Sequence, residues 1–343
     1  MAYRTIIVGT DGSSTATRAT VAAGRLARRL RSRLAIVTAF GANLDEDTAT
    51  VVLRDALEAV RVEDVSATTH KREGAPDEAL TKVAEEEGAD LVIVGNVGMG
   101  KAHRFRLGGI AERVAHDALC DVLIVHTRED RPEAGAYRSV LTGTDGSSTA
   151  SEASRKAFEL AEMLGADVTL VHVGDPLLGA IALEREAKDR PGSATVRTEA
   201  IEGGDPAERI IEVARRGDVD LVVVGNKGME GARRYLLGSI PSKVAHGSPV
   251  DVLIAKTVGR SVDDLEPGHG GLVEMAGKRL AVYKAEDGSV VALSPRCQHM
   301  GCTVDWNDGD RTWDCPCHGS RYRADGSVFH GPAKKDLDRE EIR

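Results

Sequence analysis

Short apolar runs and longer helical-period segments alternate along the first three quarters of the chain. Residues 4–8 read R-T-I-I-V and end on a G-T-D-G turn. A continuous β-branched run of that length predicts a strand buried on both faces. Ser13 or Ser14 then stands where a helix N-cap is wanted. Ala19, Ala22, Ala23, Leu26 and Leu30 come next at helical spacing on one face. Further strands are predicted over 34–39, 65–70, 91–94 and 122–125. Helices are predicted over 47–62, from Pro76 to just before Gly88, and over 110–118, with Pro76 suited to a first turn. Such alternation implies a parallel sheet with helices on both faces.

The same order recurs. Residues 9–16 and 143–150 both read G-T-D-G-S-S-T-A. D-L-V-I-V-G-N-V-G-M at 90–99 returns as D-L-V-V-V-G-N-K-G-M at 220–229. V-A-H recurs at 114 and 244, and D-V-L-I at 121 and 251. The offset of 130 to 134 residues is that of a duplicated domain, not of a short solenoid unit. After the second copy the rhythm changes. A polar stretch over 258–271 contains Pro267, and short alternating segments at 279–284 and 290–293 flank an E-D-G turn. That pattern predicts a small antiparallel β domain. The expected architecture is α/β: two tandem doubly wound, Rossmann-like domains over 1–131 and 132–258, then an all-β domain over 259–343.

Composition adjusts this picture in three places. The net charge of −9 excludes nucleic acid as a main partner, because cationic side chains are not in excess. No apolar run approaches the roughly 18 residues of a membrane span, and the chain opens directly on a strand-like segment. A cytoplasmic protein is therefore expected. Five of the eleven aromatic residues lie beyond residue 280, which marks the C-terminal segment as a different domain.

Four of the five cysteines fall within the 22 residues from Cys297 to His318. There C-Q-H-M-G-C and C-P-C-H-G-S contain Cys297-x-His299 and Cys315-x-x-His318. Two thiolates and two imidazoles in paired short spacings are the donor set of a metal site, and a small zinc ribbon or an iron–sulfur centre would use them. A zinc ribbon leaves Cys302 and Cys317 without a role. The two boxes closely resemble the Rieske family, in the branch found in cytochrome bc complexes. The resemblance implies a 2Fe–2S cluster with Cys297 and Cys315 on one iron and His299 and His318 on the other. It makes Cys302 and Cys317 a disulfide between the two loops. It matches Ser320 and Tyr322 to hydroxyls that donate to a bridging sulfide and a ligand sulfur, and so raise the potential. Gly331-Pro332 matches the start of a third loop, with Lys334 where a second proline is usual. These features imply a potential in the upper part of the family range of about −150 to +300 mV. Bc-type members carry a membrane anchor, so the likeness is to their soluble head.

In the second copy Gly225-x-x-Gly228 is succeeded, nine residues later, by Gly238-Ser239. Glycines let backbone approach a ligand, and a helix opening at Ser239 presents free N–H groups to phosphate. Lys227, Arg233 and Arg234 add positive charge. A tight structural turn would also account for the glycines alone. The G-T-D-G-S opening, the G-x-x-G-x9-G-S loop and the closing D-V-L-I strand together resemble the universal stress protein family, in its ATP-binding branch. The resemblance implies that Asp145 lies near the adenosine and that Gly225, Gly228, Gly238 and Ser239 hold the triphosphate, with magnesium a further ligand. In the first copy the matches are Asp11, Gly95, Gly98 and Gly108. Gly109 replaces the hydroxyl residue there, which makes that copy the weaker site. The family commonly pairs two such domains, and the tandem supplies both within one chain.

Other conspicuous residues have plainer readings. His116 and His246 recur, but no carboxylate or cysteine recurs beside both, and they read as helix packing. The run Arg25, Arg28, Arg29, Arg31, Arg33 reads as a solvated helix face. Cys120 reads as a small buried residue. Ser13 and Ser147 lack a histidine–carboxylate pair and do not read as nucleophiles. The leading expectation is a stress-response protein that binds ATP and carries or senses single electrons. The alternative is an electron-transfer component for an unidentified partner oxidoreductase, with the tandem as a dock. A self-contained oxygenase is excluded, because no residues remain for its mononuclear iron site.

Overall fold

In a computed structural model of the protein, the described residues are 3–41, 44–97, 107–126, 135–188, 190–216, 218–226, 238–256, 262, 265–275, 278–307, 309–315 and 318–341. They divide into two units, one ending at Lys256 and the other formed by the described residues from 262 to 341. The sequence expectations at Gly98, Gly228, Lys227, Arg233, Arg234 and Cys317 lie outside the described residues.

The first copy runs β1 (Thr5–Gly9), α1 (Ser14–Leu30), β2 (Arg33–Phe40), α2 (Glu46–Arg61), β3 (Ala67–Glu73), α3 (Pro76–Glu86), β4 (Leu91–Gly95), α4 (Gly109–Asp117) and β5 (Asp121–Val125). The second runs β6 (Ser139–Gly143), α5 (Ser148–Leu164), β7 (Asp167–Gly174), α6 (Pro176–Lys188), β8 (Val196–Glu202), α7 (Pro206–Arg216), β9 (Leu221–Gly225), α8 (Ser239–Gly247) and β10 (Asp251–Ala255). The starts of α1 and α5 obey their sequence signal. Ser13 and Ser147 cap α1 and α5 by accepting the N–H of Ala16 and Ala150 at 3.3 Å. The third strand begins two residues later than the periodicity predicts and runs to Glu73, with none of its positions fully buried at the sheet edge.

All ten strands form one sheet, in the order β3-β2-β1-β4-β5-β10-β9-β6-β7-β8. Pairing is parallel within each copy and antiparallel where they meet, with Leu123 opposite Leu253. The apolar strands alternate between two cores. Ile6, Val8, Ile93, Leu123 and Leu253 face one helix layer, while Ile7, Val92, Val94, Ile124 and Ile254 face the other. Burial of each such side chain contributes about 1.5–3 kcal/mol.

Polar groups lock the seam. Asp121 accepts the Tyr3 hydroxyl at 2.8 Å, the Lys156 ammonium at 2.6 Å and the Lys256 N–H at 2.7 Å. Asp251 correspondingly accepts the Tyr137 hydroxyl and the His126 N–H, both at 2.8 Å. Burial, then the adjacent carboxylate, pushes both phenols well above their ordinary pKa. The strand ends then cross over. Lys256 donates to the Ala115 and His116 carbonyls at the end of α4, at 2.6 and 3.2 Å. His126 Nε2 lies 3.2 Å from the Ala245 carbonyl at the end of α8. Donors there satisfy carbonyls that a helix leaves open.

The second unit has two small sheets. One is β11 (His269–Met275), β12 (Lys278–Lys284) and β13 (Val290–Leu293). The other is β14 (Asp305–Asn307), β15 (Thr312–Asp314), β16 (Arg321–Arg323) and β17 (Val328–His330), each in sequential antiparallel order. Leu293, Val304, Trp306, Trp313, Tyr322 and Leu337 form its main core, and Cys297 and Cys315 pack into it. No described helix is long and apolar enough to cross a membrane.

Asp121 collects three donors at the seam, so Asp121→Ala strands two buried donors and a nearly buried ammonium. It should destabilise the tandem by about 3–5 kcal/mol in denaturant titration, in the range for breaking a buried charge pair.

Candidate metal centre and nucleotide crevices

The two cysteine boxes are built alike. Cys297 comes after β13, and Cys315 directly after β15. Four residues beyond each, a glycine with positive φ turns the loop back: Gly301 at 75° and Gly319 at 72°. Each glycine N–H donates to the carbonyl of its cysteine, at 2.8 and 3.1 Å. Each cysteine N–H is also taken up locally, Cys297 by the Cys302 carbonyl at 2.8 Å and Cys315 by the Ser320 carbonyl at 2.6 Å.

This construction separates the donors by exposure. Cys297 and Cys315 are 2% and 3% exposed. His299 and His318 are exposed, with ring centroids 4.9 Å apart and planes at 84°. Among the described residues no three His, Cys, Asp or Glu side chains gather around one ion. The donors instead form a thiol pair inside and an imidazole pair outside. A cluster with two irons takes two ligands of each kind, so the residues present fit it.

Tyr322 and Ser320 sit under the thiols. The Tyr322 hydroxyl accepts the Gln298 N–H at 3.1 Å, which leaves its own proton for Cys297 Sγ, also at 3.1 Å. Ser320 accepts the Ala333 N–H at 3.1 Å and also bonds Cys297. Burial pushes the Cys297 thiol up. Hydrogen bonds from Tyr322, the His299 N–H, Cys315 and Ser320 outweigh burial and hold it below its usual pKa. Burial and the bond to Cys297 push the Tyr322 phenol up, so it remains a donor. Cys120, Cys297 and Cys315 take part in no disulfide.

The third loop is fixed without a second proline. Gly331 has φ of 101°, and a Cβ there would fall 2.6 Å from both the Gly319 carbonyl oxygen and Ser320 Cα. Ala333 beyond it is buried and bonded to Ser320, while Lys334 points outward, exposed.

In the tandem unit, β1 and β6 are the switch points of their half-sheets, where open α/β sheets leave a crevice at the strands' carboxyl ends. Asp11 and Gly95 flank one crevice, Asp145 and Gly225 the other. Asp11 and Asp145 accept the N–H of Ser13 and Ser147 at 3.0 and 2.9 Å. A Cβ on Gly95 would lie 3.0 Å from the Thr15 carbonyl, so any larger residue would press on the start of α1. Gly108 and Gly238 are the N-caps of α4 and α8, and neither has a side-chain cap bond. The copies differ at the next residue. Ser239 opens α8, whereas a Cβ on Gly109 would meet Arg113 Nη1 at 3.2 Å. Asp77 holds that guanidinium through two bonds of 2.5 and 3.0 Å.

Comparison with known proteins agrees with both units. The universal stress protein family model matches residues 2–126 and 136–256. The chain belongs to the universal stress protein family. A Rieske 2Fe–2S domain occupies residues 256–340. A universal stress protein of Mycolicibacterium smegmatis is 32% identical over 195 residues, 52% of this chain and 65% of that one. Cytochrome b6-f complex iron-sulfur subunit 1 of Synechocystis is 47% identical over 74 residues, 21% of this chain and 42% of the subunit. The chain thus spans less than two thirds of the length of these curated relatives. A universal stress protein structure from Archaeoglobus fulgidus superposes with a TM-score of 0.60 over 74% of this chain and 96% of that one, at 19% identity. That likeness shows the fold.

The universal stress domains also contain residues that sequence reasoning passed over. Asn96 and Asn226 each donate their N–H to the end of the neighbouring strand, at Val125 and Ala255, and accept the N–H of Gly108 and Gly238. They fix the helix N-terminus against the sheet, and the repeated V-G-N was their signal. Glu186 on α6 was not foreseen. It accepts the Thr144 hydroxyl and, at 3.0 Å, the Ser151 hydroxyl, beside Asp145. In the Rieske domain Asp338 holds Gln298 Nε2 at 2.9 Å and has no local sequence signal.

Gly331→Ala forces a side chain into the second box and into unfavourable backbone. It should cost about 1–3 kcal/mol, as a lowered unfolding midpoint in tryptophan fluorescence.

Proposed function

We propose that this chain is a stress protein that carries or senses single electrons through a Rieske cluster and binds ATP in its tandem domains. The observation that carries the reading is the sorted donor set, with buried thiols bonded by Tyr322 and exposed imidazoles. Cys297 and Cys315 would hold one iron, and His299 and His318 the other. When bound, such a cluster takes up or gives one electron. The chain's own part is electrostatic and steric. Tyr322 and Ser320 place hydroxyl protons at the sulfur side, which favours the more negative state. The buried loops keep water from the thiol side. A Cys302–Cys317 bridge would tie the two loops together, shielded enough to persist in a reducing compartment.

ATP binding is supported by the two crevices and by the open N–H groups at α8. Copy two is the main site, through Asp145, Gly225, Gly228, Gly238 and Ser239, with magnesium as a companion ion. Copy one, with Asp11, Gly95, Gly98 and Gly108, lacks the hydroxyl at Gly109 and has Arg113 crowded against that position. The second reading, a carrier feeding a partner oxidoreductase, is favoured by one observation. Met300 is 68% exposed beside His299, an apolar contact point next to the imidazoles.

Anaerobically purified protein should contain iron and acid-labile sulfide in equal amounts and give a Rieske-type EPR signal on reduction. Stoichiometric zinc without sulfide would rule the centre out. Tyr322→Phe removes a donor that stabilises the reduced state, so the midpoint should fall by roughly 60 mV, the one-electron equivalent of about 1.4 kcal/mol. Ser320→Ala combined with Tyr322→Phe should lower it further. An unchanged midpoint in the double variant would show that these hydroxyls do not tune the centre.

Gly238→Val should abolish most ATP binding in calorimetry, because it places a branched side chain at the α8 N-cap. Binding like wild type would move the site elsewhere.

A further inference from the structure

Four of the chain's eleven aromatic residues stand in one file through the Rieske domain. Tyr283 on β12 and Trp306 on β14 have ring centroids 5.1 Å apart. Trp306 and Trp313 on β15 are again 5.1 Å apart, with planes at 65°. Trp313 stands directly opposite Tyr322 on β16, and opposed residues of an antiparallel pair put their side chains together on one face. The Tyr322 hydroxyl then reaches Cys297 Sγ at 3.1 Å. The inner three rings are at most 1% exposed, while Tyr283 is half-buried. Gly270, paired with Tyr283 across the strands, makes room for the file. A Cβ there would come within 2.5 Å of the Trp306 ring.

Core filling alone does not account for Trp306. Its Nε1 is buried and has no hydrogen-bond partner among the described residues, whereas a buried indole normally finds an acceptor. Phenylalanine would fill much of that space without an orphaned donor. Trp313 Nε1 reaches only the Ala324 carbonyl, at 3.4 Å. Neither setting offers a base. Tryptophan and tyrosine are the aromatic side chains that give up one electron most readily. An indole that cannot shed its proton on oxidation passes the vacancy onward and does not trap it as a neutral radical.

We propose that Tyr283, Trp306, Trp313 and Tyr322 form an aromatic relay that carries one-electron vacancies between the surface at Tyr283 and Tyr322, beside the Cys297 sulfur. A one-electron oxidant of the free-radical class takes an electron from Tyr283 and becomes its anion, and the phenol proton goes to water. Trp306 refills Tyr283, which regains a proton from water. Trp313 refills Trp306, and Tyr322 refills Trp313. The vacancy rests on Tyr322, whose hydroxyl stays hydrogen-bonded to the Cys297 sulfur at 3.1 Å. In sum, the oxidant gains one electron and Tyr322 loses one, with its proton remaining in that hydrogen bond. The relay gives the domain an electron port at Tyr283 in addition to the exposed imidazoles. It rests on the electron-carrying reading only for what Cys297 does, since the relay uses the chain's own rings.

Pulse radiolysis of the full-length, iron-loaded, oxidised protein with azidyl radicals tests this. The chain has two tryptophans and both lie in the relay, so every indolyl signal reports on it. In wild type, indolyl absorption should convert to tyrosyl absorption at a rate independent of protein concentration. Trp313→Phe keeps a ring in place and should lose that phase. Tyr322→Phe should keep the indolyl signal and lose the tyrosyl product. Iron and sulfide counts on the same samples distinguish failure of the relay from failure of the cluster assignment. A concentration-independent phase unchanged in both variants would overturn the relay. So would a wild-type indolyl signal that decays only by encounter between molecules while iron and sulfide are full.

Discussion

The tandem half of this protein depends on one antiparallel strand pair. Every other neighbour in the ten-stranded sheet is parallel and belongs to one copy; β5 and β10 alone join the copies. A parallel sheet edge left open would expose a ladder of unpaired N–H and C=O groups beside an apolar strand. Pairing the two last strands removes that edge from both copies at once. The carboxylates Asp121 and Asp251 then fix the register, each gripping a tyrosine from the first strand segment of its own copy and a backbone N–H from the other's last strand end. Duplication supplies the near-symmetry, and the crossing of His126 and Lys256 onto the opposite copy's helix end completes it.

The seam also has a functional consequence. It closes the sheet through the last strands and leaves the first and fourth strands of each copy at their switch point, with the crevice above them. The two crevices have diverged within the same frame. Around Asp145 the second copy has Glu186 and a serine at the helix start; the first has Gly109 and the Asp77–Arg113 pair. A side chain at position 109 would approach Arg113 Nη1 to 3.2 Å, so the guanidinium would have to give way by a few tenths of an ångström.

In the Rieske domain the governing constraint is the sorting of donors by exposure. Two loops of the same construction bury their cysteines and present their histidines, and the third loop presses on the second through Gly331. The buried side has little room for error, because every polar group there must find a partner. Tyr322 meets the Gln298 N–H and the Cys297 sulfur at once, and Ser320 meets the Ala333 N–H.

Local pattern in the sequence was enough to read the duplicated α/β units, the strand and helix types, and the ligand candidates Cys297, His299, Cys315 and His318. These rest on short-range signals: apolar period, caps, glycine turns and close ligand spacing. The third strand starts two residues and ends three residues beyond its predicted bounds, because half-exposed positions carry a weak apolar signal. What the sequence could not supply was contact between distant segments. The antiparallel seam, the grip of Asp121 on Lys156, the carboxylate of Glu186 beside Asp145, and the file from Tyr283 to Tyr322 each join residues far apart in the chain. Only the tertiary structure decided them, because such pairings are selected by shape and burial across the fold and leave no periodic trace in either partner's own segment.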